Sequence, residues 1–218
     1  MEPIAVNQAN TYIIQSQEEE IKRISHDLHE GISQNLYSLY TGLEFLQSGI
    51  EDNTMKEYAK ELSALMKRTI QEVRMLSVEL YPNTLAELGI RAALDSYIKL
   101  FTSTFGIIID VNTTGQEYIL PETTALAVFR SCQEAMINIA KHADVTEAAF
   151  RFTWEEKSLT IDIVDTGKGF NVQKAMDRNL FKGIAAIKQR MHSEGGEALI
   201  SSEEGKGSIL SLILPIKR

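Results

Sequence analysis

Two stretches of this 218-residue sequence concentrate side chains that can do chemistry. The first is Arg23-Ile24-Ser25-His26-Asp27-Leu28-His29-Glu30-Gly31-Ile32-Ser33-Gln34. An imidazole such as that of His29 is a competent nucleophile near neutral pH when a neighbouring base holds its proton, and Glu30 follows it directly. Glu30 and Gln34 lie four residues apart, which places them on one helical face. A carboxylate beside an amide able to orient water suits both phosphoryl transfer and hydrolysis. Two plainer readings stand beside this one. His29 and Glu30 could decorate a solvated helix face, or His26 and Glu30 could hold a metal, although no third ligand is close in sequence.

The second stretch is spread over the C-terminal half. Glu134, Asn138, Lys141 and His142 fall at i, i+4, i+7 and i+8, on one side of a helix. A carboxylate, an amide and a cation stacked in this way suit a Mg²⁺–polyphosphate site, because Mg²⁺ takes oxygen ligands and shares phosphates; the alternative is an ordinary charged helix face. Asp165-Thr166-Gly167-Lys168-Gly169-Phe170 follows an apparent strand, so its glycines sit where backbone turns sharply or approaches a ligand. Asp165 could accept a hydrogen bond from an exocyclic amine such as that of adenine. A second turn, Gly205-Lys206-Gly207-Ser208, leads into the last strand. Taken singly, each turn is unremarkable, since glycine turns join strands everywhere.

The elements that must carry these residues follow from the hydrophobic pattern. Ile21, Ile24, Leu28, Ile32, Leu36, Leu39, Leu43, Leu46 and Ile50 recur at steps of three and four, the stripe of one long amphipathic helix. Ser48-Gly49 and Glu51-Asp52-Asn53 break it, and a second stripe runs from Tyr58 through Leu62, Leu65, Thr69, Val73 and Leu76 to Leu80 before Pro82. Two such helices form a hairpin. A lone hairpin leaves much apolar surface in water, so a second copy is expected, giving a four-helix bundle in the dimer.

After Pro82 the texture changes. Leu85–Phe105 reads as a helix closed by Gly106, and Ile107–Val111 as a strand. Pro121 opens a helix running to about Ala143. Ala148–Glu155 and Ser158–Asp165 alternate as paired strands, Asn171–Lys182 is irregular, and Gly183–Ser193 is helical. Ala198–Ser202 and Ser208–Leu214 close the chain as strands. Strands and helices in this order predict a two-layer α/β domain.

Composition bounds the function. With 22 basic and 30 acidic residues the net charge is −8, which argues against a nucleic-acid binder. No apolar run reaches the roughly 18 residues that cross a bilayer, and residues 1–17 lack the order of a secretory signal. The lone Cys132 can form no internal disulfide and reads as buried filler. A cytoplasmic protein is expected, with no membrane contact from this chain.

Together, over about Glu18–Pro215, these motifs resemble a sensor histidine kinase of the group that partners LuxR/NarL-type response regulators. The resemblance rests on five boxes in order, Arg23 to Gln34, Phe129–Ala143, a first glycine box at Asp165–Gly169, a second at Gly183 and a last at Gly205–Ser208, and on a segment joining hairpin to ATP domain, Arg74–Leu94, with Leu80-Tyr81-Pro82 and Leu88-Gly89-Ile90. It implies that His29 is phosphorylated, with Glu30 as base and Gln34 positioning water for phosphatase action. It implies ATP and Mg²⁺ as cofactors, with Asn138 as the metal ligand, Glu134 as a polar helper, and Lys141 and His142 near phosphates. Asp165 would read adenine, and Gly167, Gly169, Gly183, Gly205, Gly207 and Ser208 would line the nucleotide. The implied fold is α + α/β: a dimerising helical hairpin, then a sandwich ATP-binding domain of the gyrase/Hsp90/histidine kinase/MutL type. Residues 1–17 would be a linker, 18–82 the dimerisation and phosphotransfer hairpin, and 83–218 the catalytic domain, with Pro82-Asn83-Thr84 as hinge. That organisation leaves no room for a sensor domain, so the signal would come through a partner or from a removed part of the protein. The homodimer and a response-regulator receiver domain are the implied partners.

Four positions depart from the family's usual pattern. Glu30 stands for Asp, His26 for Arg, and Phe181 and Ala186 for glycines of the second glycine box. Those last two support an alternative, a signalling adaptor that keeps the dimer without ATP turnover. A serine-directed kinase of the anti-sigma type would share the ATP fold but needs no helix carrying His29-Glu30.

Overall fold

A computed structural model describes residues 16–17, 19–82, 84–172 and 182–216. The chain divides into two compact units, Met1–Asn83 and Thr84–Arg218.

The first unit is the expected hairpin. Helix α1 (residues 19–48) contains a π-helical turn at Asp27–Ile32 and ends at Gly49. Helix α2 (Asn53–Leu80) starts where the Asp52 carboxylate accepts the Met55 N–H at 2.9 Å, satisfying one of the unpaired first-turn donors. It ends as Tyr81 turns extended ahead of Pro82, which disfavours helix at the residue before it. The apolar stripe of α1 proves to be two half-stripes. Ile21, Leu28, Leu36, Leu43 and Ile50 are partly covered, whereas Ile24, Ile32, Leu39 and Leu46 are exposed.

The second unit is a mixed five-stranded sheet with helices against one face. Its elements are α3 (Thr84–Phe105), β1 (Ile108–Thr114), α4 (Glu122–Asn138, extended by a π-helical turn at Ile139–Ala143), β2 (Glu147–Trp154), β3 (Ser158–Asp165), α5 (Lys182–Ser193), β4 (Glu197–Glu203) and β5 (Gly207–Pro215). The strand order is β1-β2-β3-β5-β4, with β1 parallel to β2 and the other pairs antiparallel. Alternate residues are buried, Phe150, Phe152 and Trp154 on β2 and Leu159, Ile161 and Ile163 on β3. This is the period-two signature of a sheet packed on one side. Leu94, Tyr97 and Phe101 of α3 and Phe129 of α4 are buried in that core, the Tyr97 and Phe129 rings edge to face at 5.7 Å.

The fold departs from the expected one in one place. The helix read as continuous from Leu85 is broken at Gly89, whose φ of 80° and ψ of −178° are open only to glycine. Of the expected irregular segment, residues 173–181, including Phe181, lie outside the described residues. No helix among the described residues is long and apolar enough to cross a membrane.

Candidate active site

His29 lies within the π-helical turn of α1. Such turns take one extra residue into a helix and are common at functional sites. Here Ser33 marks the wide step: its backbone N–H and its hydroxyl both reach the Leu28 carbonyl, the hydroxyl at 2.9 Å. The His29 side chain is 44% exposed, so an incoming group has access. Its Nε2 stands 3.9 Å from Glu30 Oε1, beyond hydrogen-bond length but close enough for a small rotation to close. Gln34 Nε2 donates to Glu30 Oε2 at 2.7 Å. One carboxylate oxygen is thus held by the amide while the other faces the imidazole.

One turn before His29, a buried polar knot ties the two helices together. The Ser25 hydroxyl shares its proton between the carbonyls of Ser77 at 2.9 Å and Tyr81 at 2.8 Å. Ser77 Oγ donates to the Ser25 carbonyl at 2.9 Å. Ser25 and Ser77 are among the least accessible residues of the hairpin. Buried hydroxyls satisfied this way fix helix register, because any slip leaves them unpaired.

In the second unit, a cavity of about 350 Å³ opens beside the sheet. Asn138 and His142 come to it from the end of α4, Asp165 from the end of β3, Gly169 from the turn after it, Gly183 from α5 and Ser208 from β5. Glu134, Lys141, Gly167, Gly205 and Gly207 do not line it. Their positions show how the walls are built. Gly207 has φ 81°, and a Cβ there would overlap the Asp165 carbonyl oxygen, so the β5 backbone can lie against the end of β3 only as glycine. A Cβ at Gly167 would overlap the Ala143 carbonyl oxygen, which also accepts the Lys168 N–H at 3.0 Å. The two glycine turns are tied together directly, Gly205 N–H donating to the Lys168 carbonyl at 2.7 Å. Glu134 approaches Gly183 at the start of α5, with Oε1 where a Cβ at Gly183 would be. Ala186 lies further along α5 and does not line the cavity.

Asp165 is a nearly buried polar residue of the lining, 8% exposed, and its Oδ1 accepts the Gly167 N–H at 2.9 Å. Most of the remaining wall is apolar, including Ile139, Ile163, Ile184, Ile200 and Leu210. Among the described residues no group of three or more His, Cys, Asp or Glu side chains could hold a metal by itself. That also leaves His26 and Glu30 without a third such ligand. Mg²⁺ bound with a polyphosphate needs only one or two protein oxygens, and the Asn138 side chain at the cavity edge can supply one.

Residues 20–85 match the histidine kinase family HisKA_3. Across 204 residues, 93% of this chain, it is 32% identical to the oxygen sensor histidine kinase NreB of Staphylococcus carnosus. Over residues 20–85 the chain carries the HisKA_3 histidine kinase region. It is also 29% identical over 207 residues to the signal transduction histidine-protein kinase/phosphatase DegS of Brevibacillus brevis. The chain spans 58% and 53% of the lengths of those two relatives. The fold is that of the histidine kinase domain of the blue-light activated kinase EL346 from Erythrobacter litoralis. The TM-score is 0.52 at 16% identity, covering 84% of this chain and 94% of that one.

Two features of this candidate site were not anticipated from the sequence. The π-helical turn had left a trace: Ile24, Leu28, Ile32 and Leu36 follow at three successive steps of four, one residue more than a three-four alternation. The apolar wall had left none, because Ile163 and Leu210 look like any inward residue of a strand.

Proposed function

We propose that this chain is the transmitter part of a two-component histidine kinase that phosphorylates itself on His29. The observation that carries the reading is the exposed His29 beside a carboxylate whose far oxygen is held by Gln34. ATP is the substrate of the cavity, with its base at Asp165 and its phosphates toward Asn138 and His142. Bound Mg²⁺ would neutralise phosphate charge, and Asn138 is the residue to hold it. Lys141 and Glu134 stand on the same helix for the phosphates and for ordering the start of α5.

In the transfer, a His29 ring nitrogen attacks the γ-phosphorus through its lone pair. The bond from phosphorus to the β–γ bridging oxygen breaks and ADP leaves. Glu30 takes the proton from the other ring nitrogen, keeping the phosphoimidazole neutral at the ring. The phosphoryl group then passes to an aspartate of a response-regulator receiver domain of the LuxR/NarL type. In the reverse sense, Gln34 orients water for hydrolysis of that aspartyl phosphate. The exposed half-stripe of α1, with the exposed Tyr58, Leu62, Leu65 and Leu76 of α2, forms the homodimer interface, pairing two hairpins as a four-helix bundle.

Incubating the chain with ATP labelled at the γ position tests the assignment. The parent takes up acid-labile label; His29→Gln takes up none. Asn138→Ala slows labelling by about 100-fold or more, the scale of removing a group that stabilises transferred charge. Good nucleotide binding without label would instead favour an adaptor.

A further inference from the structure

Two polar residues of the cavity lining belong to one row of side chains across three strands. Asp165 on β3 is the register partner of Ser208 on β5, and Ser208 is the register partner of Ser202 on β4. Register partners point to the same face of a sheet. Asp165 and Ser208 line the cavity; Ser202 stands behind them.

Ser202 Oγ has three neighbours. It accepts the Phe170 N–H at 2.9 Å, donates to the Gly207 carbonyl at 2.9 Å and lies 3.1 Å from Ser208 Oγ. A hydroxyl has one proton and two lone pairs. A carbonyl oxygen cannot donate, so the proton between Ser202 and Gly207 belongs to Ser202. Both Ser202 lone pairs then accept, one from Phe170 and one from Ser208. Ser208 is therefore the donor in that pair, and it faces the cavity with lone pairs alone. An ionised Asp165 carboxylate has no proton to offer either. Two acceptors stand side by side in this row.

We propose that Ser202 is a specificity-determining residue, acting by fixing the direction of the Ser208 hydroxyl. An acceptor-only wall takes a purine carrying an exocyclic amine at position 6, which has protons to give. It rejects a 6-oxo purine, whose oxygen would set lone pairs against those of Asp165 and Ser208. The inference rests on the reading of this cavity as a nucleotide site. Without Ser202, the Ser208 proton is free to turn into the cavity and satisfy a 6-oxo group.

The test is equilibrium binding of ADP and GDP to the intact chain and its variants. The parent prefers ADP. Ser202→Ala narrows the ratio of the two Kd values by about tenfold, the worth of one hydrogen bond made or lost. Ser202→Thr, which keeps the hydroxyl, restores the ratio. A merely structural role would weaken both nucleotides together and leave the ratio unchanged, and that result overturns the proposal. Ser208→Ala, which leaves the Ser202 anchor to Phe170 and Gly207 in place, also narrows the ratio; a parental ratio there overturns the proposal as well. A parent that binds neither nucleotide brings down the reading of the cavity and this inference with it. A parent that prefers ADP, with an unchanged ratio in Ser202→Ala, brings down the inference alone.

Discussion

The two units bury opposite kinds of residue. Within the described helices of the hairpin the buried positions are Ser25, Ser33, Ala59, Ser63, Ile70 and Ser77, nearly all small or polar. Several of its large apolar side chains lie outside: Leu39 is 60% exposed, Phe45 77% and Leu65 54%. The α/β unit does the reverse, enclosing Phe101, Phe129, Phe150 and Phe152 almost completely. Small residues let two helices approach closely, but they contribute little to burial. The α/β unit can be stable by its own core, whereas the residues the hairpin itself buries contribute little to its stability.

The sharpest way to break this contrast is to put charge on that outer face. Leu39→Glu combined with Leu65→Glu raises the dissociation constant of the proposed dimer by on the order of 10⁵-fold, since each leucine loses roughly 2 kcal/mol of burial in both copies. Light scattering should report monomer, with helical circular dichroism reduced and nucleotide binding kept. A compact, fully helical monomer would show that the hairpin is self-sufficient.

A smaller effect is expected on the other side. Gly207→Ala forces a side chain into positive φ and against the Asp165 carbonyl, destabilising the α/β unit by about 3 kcal/mol. Cys132 reports it: fully buried, its thiol is pushed well above its ordinary range and is inert until the unit opens. Faster labelling of Cys132 by a thiol reagent, with the dimer unchanged, is the expected result. Loss of the dimer in this variant would mean that the two units do not keep separate stabilities.

The smallest effect tests the polar seam. Ser77→Ala removes the donor to the Ser25 carbonyl and lowers the thermal midpoint of the hairpin by the equivalent of about 1 kcal/mol. If the knot also holds the wide turn, labelling of His29 slows several-fold while ADP affinity is unchanged. An unaltered labelling rate would reduce the knot to ordinary packing.

Much of this was legible in the sequence because it is local. The break at Glu51-Asp52-Asn53, Pro82 ending the hairpin and the strict alternation of Ser158–Asp165 each depend on neighbours a few residues away. The same holds for His29, Glu30 and Gln34, which one helical turn brings together. The break at Gly89 was not legible, since a lone glycine in an apolar pattern is compatible with a continuous helix.

Residue order alone determined that there is an amphipathic hairpin followed by an α/β unit, and which residue types stand ready for phosphoryl chemistry. Tertiary structure alone decided which half of each apolar stripe faces the sister helix and which is left for another surface. It also placed Asp165, Ser208 and Ser202 in one row, because the order β3-β5-β4 departs from chain order. Helical periodicity is written every three or four residues. Strand neighbours are chosen by packing between segments tens of residues apart, and no local pattern records that choice.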